Sequence, residues 1–392
     1  MKVLVLNSEK RSSLALIRSL GQKDIDVTAA SHLKFAQGSY SKYSKKKIMY
    51  PSPEKNVKKF NEFLLRELQK ENYDVLFPMN EYTILPIMLN RKKFGKYVKL
   101  AIPENNILEK ALDKKFTFKT AINNKIPCPK TYFIKNLKQL KQLSDKLEYP
   151  IVIKPRYSCF LINNQIKHFD VVYANSKEEL LIKYSKLHSQ SKFPLMQEYI
   201  YGNGFGFFAL LNKSKPLAVF AHQRIREHPY TGGPSTFRIS VDIPELKTFG
   251  LKLLRKLNWQ GIAMVEFKRD RKDDQFKLME VNGRFWGSLQ LSIASGVDFP
   301  YLLYQLINNK QIKQVKHYNV GTKCRWLLPG DILHLISVLK SNKTIDLDLR
   351  KPNKLKTIKE FFRFFEKDLH YDVISLKDPL PIAANIWSLI KK

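Results

Sequence analysis

The most informative part of the sequence consists of two apolar runs on either side of a charged turn: Gly261-Ile-Ala-Met-Val-Glu-Phe267, the turn at 269–274, and Phe276-Lys-Leu-Met-Glu-Val-Asn-Gly-Arg284. Two short apolar runs around a polar turn are typical of a β-hairpin. Each run contains one glutamate among apolar neighbours, Glu266 in the first and Glu280 in the second. Because burying a carboxylate without a partner is costly, these glutamates are predicted to serve a site and not to form a solvent-facing stripe.

The residues after Glu280 extend this pattern. Glu280, Asn282 and Arg284 follow one another at two-residue steps, and side chains two apart on a strand share one face of the sheet. An antiparallel hairpin can bring Glu266 across from them. Two carboxylates and an amide oxygen suit Mg²⁺ or Mn²⁺, so Glu266, Glu280 and Asn282 are predicted metal ligands. Arg284 is predicted to be catalytic, because its fixed fork can hold a phosphate or a developing oxyanion.

The set formed by Glu266 and Glu280-x-Asn-x-Arg284 resembles the metal-binding end of the ATP-grasp superfamily, which includes biotin carboxylase, carbamoyl-phosphate synthase and D-alanine ligase. Three further segments match the superfamily in the expected order: Asp113-Lys114 at the start of a helix, Ile151-Val-Ile-Lys154-Pro155 on a strand, and Gln197-Glu-Tyr-Ile200 at a hinge. Each motif alone is modest, but four in this order are specific for the superfamily. The resemblance covers residues 1–328.

The resemblance implies which residues bind ATP: Lys114, Lys154, Arg156, Gln197, Glu198, Tyr199, Ile200 and Asn203. The two lysines would each place a positive charge on a phosphate, and Arg156 is a further phosphate-binding candidate. The hinge would hold adenine mainly through backbone groups around Glu198 and Ile200, and Asn203 would bond the ribose hydroxyls. Because the chain is so basic, the alternative for each of these lysines is that it is a solvated surface residue without a role in ATP binding.

Two features depart from the superfamily pattern. Many relatives have a glycine-rich phosphate loop after the second lysine, whereas residues 156–164 contain no glycine. Glycine permits close backbone approach to phosphate. The absence of glycine therefore predicts either a differently built lid or weaker binding of ATP. In addition, Asn203 stands where a carboxylate often binds the ribose, and an amide bonds a hydroxyl less strongly.

A second group of anion donors lies in Arg224-Ile-Arg226-Glu-His-Pro-Tyr-Thr-Gly-Gly-Pro-Ser235, which joins two predicted strands. Its glycine pair allows backbone N–H groups to line a concavity. The segment resembles a loop of the carboxylate–amine ligase, or carbamoyl-phosphate-synthase-like, branch, where it would face the acyl substrate. Arg224 and Arg226 are therefore predicted to be catalytic and to hold a carboxylate or the γ-phosphate. The alternative is a basic surface hairpin.

The predicted fold class is α/β. Residues 1–104 begin with a buried strand, an amphipathic helix and a second strand, which is the βαβ opening of a parallel sheet. Later helices are predicted from Glu54 to Lys70, from Ile107 to Asn123 and at 358–365. The resemblance implies a pre-ATP-grasp domain at 1–104 and a two-subdomain α+β ATP-grasp domain at 105–328, with its lid at about 127–196. Residues 329–392 are predicted to form a mostly helical C-terminal extension.

The chain has 392 residues and a formal charge of +34. A charge this large is compatible with a polyanion partner. The lysines are spread along the whole chain, however, and a codon preference would explain them equally well, so a polyanion partner is not favoured. Three cysteines without CxxC spacing argue against a disulfide framework or a zinc site. The sequence shows no apolar run of ~20 residues and no export signal, so a cytoplasmic protein without a membrane span is expected.

These features together predict an ATP-dependent carboxylate–amine ligase that forms an acyl phosphate and releases ADP and phosphate. A kinase on the same fold is one alternative, and a non-catalytic nucleotide- or polyanion-binding protein with a decayed site is another. The expected substrates are a small carboxylate and an amine, which the sequence does not identify. Dimers are common among similar proteins, and the sequence leaves open whether this chain is a homodimer.

Overall fold

Residues 2–100 form a parallel sheet in the computed structural model, which describes residues 1–341 and 353–390. The strands are β1 (Lys2–Val5), β2 (Asp26–Ser31), β3 (Lys46–Met49), β4 (Val75–Phe77) and β5 (Lys99–Leu100). The helices of this part are α1 (Arg11–Gly21), α2 (Val57–Lys70), α3 (Glu81–Leu89) and α4 (Arg91–Phe94). The strand order is β3-β2-β1-β4-β5.

Alternate residues of β1 pack on opposite sides of this sheet, which explains why the strand is a continuous apolar run. Val3 and Val5 belong to the core cluster that contains Leu16 of α1, whereas Leu4 belongs to the cluster that contains Phe60 of α2. None of the three β1 side chains is exposed. Burial on both faces is typical of a parallel sheet covered by helices, so the predicted βαβ opening is confirmed.

The middle part of the chain, residues 105–198, builds a smaller antiparallel sheet with its own helices. Its strands are β6 (Thr131–Phe133), β7 (Ile151–Lys154), β8 (Cys159–Ile162), β9 (Gln165–His168), β10 (Val172–Ala174) and β11 (Leu195–Glu198). Its helices are α5 (Asn105–Leu112), α6 (Lys114–Asn123), α7 (Leu137–Ser144) and α8 (Lys177–Gln190). Four strands pair in the order β10-β7-β11-β6, and β8 and β9 form a separate hairpin.

Two of the predicted helix boundaries are wrong. The helix expected to begin at Glu54 begins at Val57, because the side chain of Asn56 caps its N-terminus. The single helix expected over 107–123 is two helices, α5 and α6, with Asp113 between them. The Asp113 backbone is extended and its side chain accepts hydrogen bonds from two N–H groups of α6, so this residue both breaks the first helix and caps the second.

The large sheet is formed by seven strands in the third part of the chain. They are β12 (Gly202–Asn212), β13 (Lys215–Glu227), β14 (Ser235–Ser240), β15 (Gly261–Asp270), β16 (Phe276–Asn282), β17 (Lys323–Arg325) and β18 (Leu369–Tyr371). The helices are α9 (Pro244–Lys256), α10 (Leu289–Ala294), α11 (Phe299–Ile307), α12 (Ile332–Leu339), α13 (Lys354–Phe361) and α14 (Leu380–Ile390). The order is β16-β15-β12-β13-β14-β17-β18, antiparallel throughout except for the parallel pair β17–β18.

The C-terminal region is mostly helical, as predicted, but it also adds β18 to the edge of the large sheet. The helix expected at 358–365 is α13, which ends at Phe361. The predicted extension also includes residues 342–352 and 391–392, which lie outside the described residues. Within the described ranges, no helix combines the length and the apolar character needed to cross a bilayer. The predicted α/β class with a parallel N-terminal sheet is confirmed.

Candidate active site

A cavity of about 430 Å³ lies between the small antiparallel sheet and the large sheet. Its walls come from three regions that are far apart in the sequence: the small sheet with its hinge, the large sheet, and the N-terminal parallel-sheet region. The residues predicted from the sequence that line it are Lys114, Lys154, Gln197, Glu198, Tyr199, Ile200, Arg224, Glu266, Glu280, Asn282 and Arg284. The fold therefore brings most of the predicted site into one cleft.

The register of β15 and β16 brings the predicted metal ligands together. Glu266 lies directly opposite Glu280, and Asn282 is two residues further along the same strand. The Asn282 amide nitrogen donates to a carboxylate oxygen of Glu280 over 2.6 Å, and Arg224 donates to Glu266. Two carboxylates and an amide oxygen thus lie side by side on the cleft wall formed by the large sheet.

The electrostatics of this pair favour an added cation. Burial raises the pKa of Glu266, and Glu280 raises it further, although Arg224 opposes both effects. Among the described residues Glu280 is hydrogen-bonded to Asn282 but has no ion-pair partner. The described ranges hold no group of three or more His, Cys, Asp and Glu side chains suited to a metal. Mg²⁺ needs no such group, because it takes one or two carboxylates together with phosphate oxygens and water, so these residues fit it.

Lys114 and Lys154 reach the same cleft from the small sheet and the helix before it. Lys154 ends β7 and its Nζ donates to the carbonyl of Met279 over 3.3 Å, while Lys114 begins α6 and its Nζ donates to Ser158 Oγ over 2.6 Å. Burial lowers the pKa of both lysines, to about 8 for Lys154, where Glu280 opposes the effect. Because burial disfavours these charges, a phosphate placed beside the lysines would stabilise them.

Nucleotide affinity is expected to depend on the charge of Lys154. With its pKa at about 8, this lysine is protonated below that pH and neutral above it, and only the protonated form attracts phosphate. The Kd for MgADP should therefore rise as the pH increases through 8, by up to about tenfold per unit. Titration calorimetry below and above pH 8 measures this. Lys154→Arg, which stays charged, should flatten the profile, and a flat profile in the unmodified protein would contradict the assignment.

The predicted hinge connects β11 to β12 along one wall of the cleft. The backbone N–H of Glu198 donates to the carbonyl of Lys130 over 3.1 Å, so the small sheet already uses this donor. The carbonyl of Ile200 accepts from Lys268 Nζ over 3.3 Å, and the same ammonium group lies over the Tyr199 ring. The hinge thus combines backbone groups with an aromatic side chain.

The segment after Lys154 makes its turn without glycine. It leads into the β8–β9 hairpin, whose turn residues Asn163 and Asn164 have φ angles of 48° and 61°. Asparagine tolerates this left-handed region better than most residues, so the turn needs no glycine. The carbonyl of Asn164 accepts from the N–H of Val57 over 2.9 Å, and its side chain accepts from the N–H of Lys58 over 2.8 Å. The hairpin tip therefore contacts the start of α2.

Three predicted site residues do not line this cleft. Arg226 donates two hydrogen bonds to the Asp331 carboxylate, over 2.9 and 2.7 Å. Arg156 donates to Asp113 over 2.8 and 2.5 Å. Asn203 lines a separate cavity of about 470 Å³, which Arg226 also lines. Arg156 is thus paired with the residue before Lys114, whereas Arg226 is held in a buried ion pair.

Two residues of the N-terminal region reach the site without any signal in the sequence. Glu81, the first residue of α3, accepts from Arg284 Nε over 2.6 Å. Arg11, the first residue of α1, lines the cleft and donates to the carbonyl of Ser235 over 3.1 Å. These pairs are 203 and 224 positions apart in the chain, so no local spacing or periodicity connects them.

The glycines of Gly202-Asn-Gly-Phe-Gly206 lie within β12 and not in a flexible turn. A Cβ atom on Gly204 would lie 2.8 Å from Cδ of Arg224, and one on Gly206 would lie 2.8 Å from Nε2 of His222. Side chains of β13 therefore lie over the β12 backbone. Glycine is needed at both positions because these side chains occupy the space that a larger residue would fill.

A protein-family model described as "ATP-grasp in the biosynthetic pathway with Ter operon" matches residues 216–328. D-alanine–D-alanine ligase B of Clostridium tetani (strain Massachusetts / E88) is 26% identical over 232 residues, which are 54% of this chain. The chain spans 62% of the length of that relative.

Solved structures with little sequence identity share the architecture. One such structure is the biotin carboxylase domain of the 2-oxoglutarate carboxylase of Hydrogenobacter thermophilus, solved with MgADP, ADP and bicarbonate. Its sequence is 14% identical and its TM-score is 0.64. The match covers 82% of this chain and 73% of that one. The L-amino acid ligase of Bacillus licheniformis is 15% identical with a TM-score of 0.58 over 78% of this chain and 73% of its own. The resemblance stated from the sequence is thereby confirmed at the level of the fold.

Proposed function

We propose that this chain, which has the ATP-grasp fold, is an ATP-dependent carboxylate–amine ligase that releases ADP and phosphate. The observation that carries the proposal is the meeting of two sets of side chains in one cleft. Glu266, Glu280 and Asn282 lie on the large-sheet wall, and Lys114 and Lys154 approach from the other side. A triphosphate with Mg²⁺ is a ligand that satisfies both sets, because its phosphates match the lysines and its metal matches the carboxylates.

The nucleotide lies between the two sheets in this proposal. Adenine occupies the hinge between Glu198 and Ile200, and the triphosphate extends along β16 toward Asn282. Lys114 and Lys154 hold the phosphates as point charges. Glu266, Glu280 and Asn282 would hold Mg²⁺, which would neutralise phosphate charge and polarise the γ-phosphoryl group.

The chemistry has two balanced steps. A carboxylate oxygen of the first substrate attacks the γ-phosphorus, the bond from that phosphorus to the β–γ bridging oxygen breaks, and ADP leaves. The amine nitrogen of the second substrate then attacks the acyl carbon, the carbon–oxygen bond to phosphate breaks, and phosphate leaves with one oxygen of the original carboxylate. The amine loses a proton to solvent. No nucleophilic side chain is required, because the activated intermediate forms on the substrate.

Two arginines stabilise the transferred group. Arg284 lies beside Asn282 and is oriented by Glu81, and Arg224 is oriented by Glu266 and Glu227. Positioned guanidinium groups stabilise developing negative charge without reorganising during the reaction. Excluding water from the cleft would protect an acyl phosphate from hydrolysis.

The test is phosphate and ADP release from purified protein with MgATP across a panel of carboxylates and amines offered in pairs. Release that requires both partners, with a new amide in the product, is the expected result. A stable phosphate ester formed with a single partner would replace the ligase with a kinase. Absence of nucleotide binding, measured with MgADP, would overturn the proposal and leave a polyanion-binding protein.

A further inference from the structure

Two buried side chains at the cleft end away from the hinge have polar atoms without partners. His222 and Trp286 both line the cleft and are each 1% exposed. Among the described residues, both ring nitrogens of His222 lack a hydrogen-bond partner. The indole N–H of Trp286 and the Nε–H of Arg224 also lack one. Buried polar groups are usually hydrogen-bonded, so a cluster of unpaired ones indicates a place for a ligand.

This cluster lies next to the proposed metal ligands. His222 pairs in register with Gly206, Gly206 pairs with Glu266, and Glu266 pairs with Glu280, so these four residues form one row across four strands. Adjacent strands are about 4.8 Å apart, which places His222 roughly 10 Å from Glu266 along the sheet. The Phe208 ring packs against both unpaired groups, with its centroid 4.9 Å from that of the His222 ring and 4.3 Å from that of Trp286. A small molecule in this position has one end beside the γ-phosphate site.

The unpaired atoms specify which groups that molecule carries. The N–H groups of Trp286 and Arg224 are donors only. His222 is neutral, because burial and the nearby Arg224 lower its pKa well below the usual value, so it offers one donor and one acceptor. The N–H groups of Trp286 and Arg224 match the two oxygens of a carboxylate. The single acceptor requires a hydrogen-bond donor on the ligand, and a plain apolar acid leaves that nitrogen unpaired.

The charge around the cluster decides between a hydroxyl and an ammonium group as that donor. The charged groups that act most strongly on His222 are three arginines, Arg224, Arg238 and Arg11. Arg224 pairs with Glu266 and Glu227, whereas Arg11 and Arg238 share the single carboxylate of Asp372. Two further nitrogens of Arg238 have no partner among the described residues. An ammonium group here would meet like charge, whereas a hydroxyl group would not.

We propose that this end of the cleft binds the acyl substrate and that this substrate is a small 2-hydroxy carboxylate. The inference rests on the proposed ligase function and deepens it by naming the substrate class. The carboxylate accepts from Trp286 and Arg224 and faces the γ-phosphate, and the hydroxyl donates to His222. Gly206 allows the imidazole to lie over the β12 backbone, close to the row of carboxylates.

Titration calorimetry of the full chain saturated with MgADP tests the substrate class with three matched probes: propionate, lactate as both enantiomers, and alanine. One enantiomer of lactate is expected to bind at least about tenfold more tightly than propionate, because an unpaired imidazole nitrogen penalises the acid without a hydroxyl. Alanine is expected to bind more weakly than that lactate. Equal affinity for lactate and propionate, tighter binding of alanine, or no binding of lactate would each overturn the inference.

Two variants identify the groups involved. His222→Leu should bring the ratio of lactate to propionate affinity close to one, which general damage to the fold would not do. Trp286→Phe should weaken lactate and propionate to the same degree, by about fivefold, because it removes one donor and keeps the ring. Trp259→Phe is the matched control, since the Trp259 N–H donates to the carbonyl of Ile262 within the core and not to the cleft. An unchanged ratio in His222→Leu would contradict the role of the imidazole.

The same titrations separate this inference from the function on which it rests. MgADP affinity is measured first in every variant and reports both folding and the nucleotide site. If MgADP binds and the three acids show no preference for lactate, the substrate class is wrong and the ligase proposal stands. If MgADP does not bind to the unmodified protein, the ligase proposal itself fails.

Discussion

Glu280→Gln is expected to lower MgATP turnover by roughly a thousandfold. The change keeps the size of the side chain and removes the one carboxylate of the pair that has no ion-pair partner among the described residues. Loss of about 4 kcal/mol of metal-dependent stabilisation corresponds to this factor. Steady-state phosphate release at increasing Mg²⁺ concentration measures it.

Glu245→Gln provides the matched control for that substitution. Glu245 is an exposed glutamate in the first turn of α9, outside the residues that line the cleft, and its replacement should leave turnover unchanged. Partial recovery of Glu280→Gln at high Mg²⁺ would support a weakened metal site. Unchanged turnover in Glu280→Gln would exclude the metal role of this residue and with it the reason for placing ATP in this cleft.

Asp331→Ala is expected to have the largest effect on stability, lowering the free energy of unfolding by about 3–5 kcal/mol. The Asp331 carboxylate is fully buried and accepts hydrogen bonds from Arg226, Arg325 and Thr236. Its removal leaves two buried guanidinium groups without their counter-ion, which costs far more than the loss of an exposed pair. Urea unfolding followed by circular dichroism measures the change.

The exposed pair between Lys177 and Asp145 is the matched control for Asp331. Both side chains of that pair are substantially exposed, and Asp145→Ala should change the free energy of unfolding by less than about 1 kcal/mol. If Asp331→Ala unfolds at the same urea concentration as the unmodified protein but loses ATP turnover, Arg226 acts in catalysis and its description as a structural residue is wrong.

The residues predicted as metal ligands lie together in the structure, and the sequence could indicate this because the signal is local. Glu280, Asn282 and Arg284 are two residues apart on one strand, and a short turn joins this strand to the one that carries Glu266. Period two and hairpin geometry are enough to bring such residues together. The hinge residues and the two lysines could be predicted only from the resemblance to a family, because a single lysine carries no spacing signal of its own.

Arg226 was predicted together with Arg224 from the resemblance to a ligase loop, and the structure separates the two for a physical reason. An uninterrupted strand would place Arg224 and Arg226 on one face, but β13 has a register shift between them against β14. A β-bulge redirects the side chains that follow it, so Arg224 lines the cleft and Arg226 pairs with Asp331. No residue type in this segment indicates a bulge. The pairing of Arg226 with Asp331, 105 positions away, also has no local sequence signal.

Contacts between distant parts of the chain account for the other residues that were missed. Glu81 and Arg11 come from helices of the parallel-sheet region, and their partners Arg284 and Ser235 lie 203 and 224 positions later in the chain. Such pairs depend on how the large sheet packs against the parallel sheet, which local patterns do not encode. His222 was missed because an isolated histidine in an apolar strand is more often a core residue than a ligand-binding one.

The most direct test of the proposed chemistry follows the oxygen atoms of the carboxylate. The acid that supports phosphate release in the paired panel is labelled with ¹⁸O in its carboxylate, and the phosphate formed with MgATP and the amine is analysed by mass spectrometry. An acyl phosphate intermediate requires one ¹⁸O atom in each phosphate released. Phosphate that carries no ¹⁸O, with ADP and amide still formed, would contradict the intermediate and therefore the ligase mechanism.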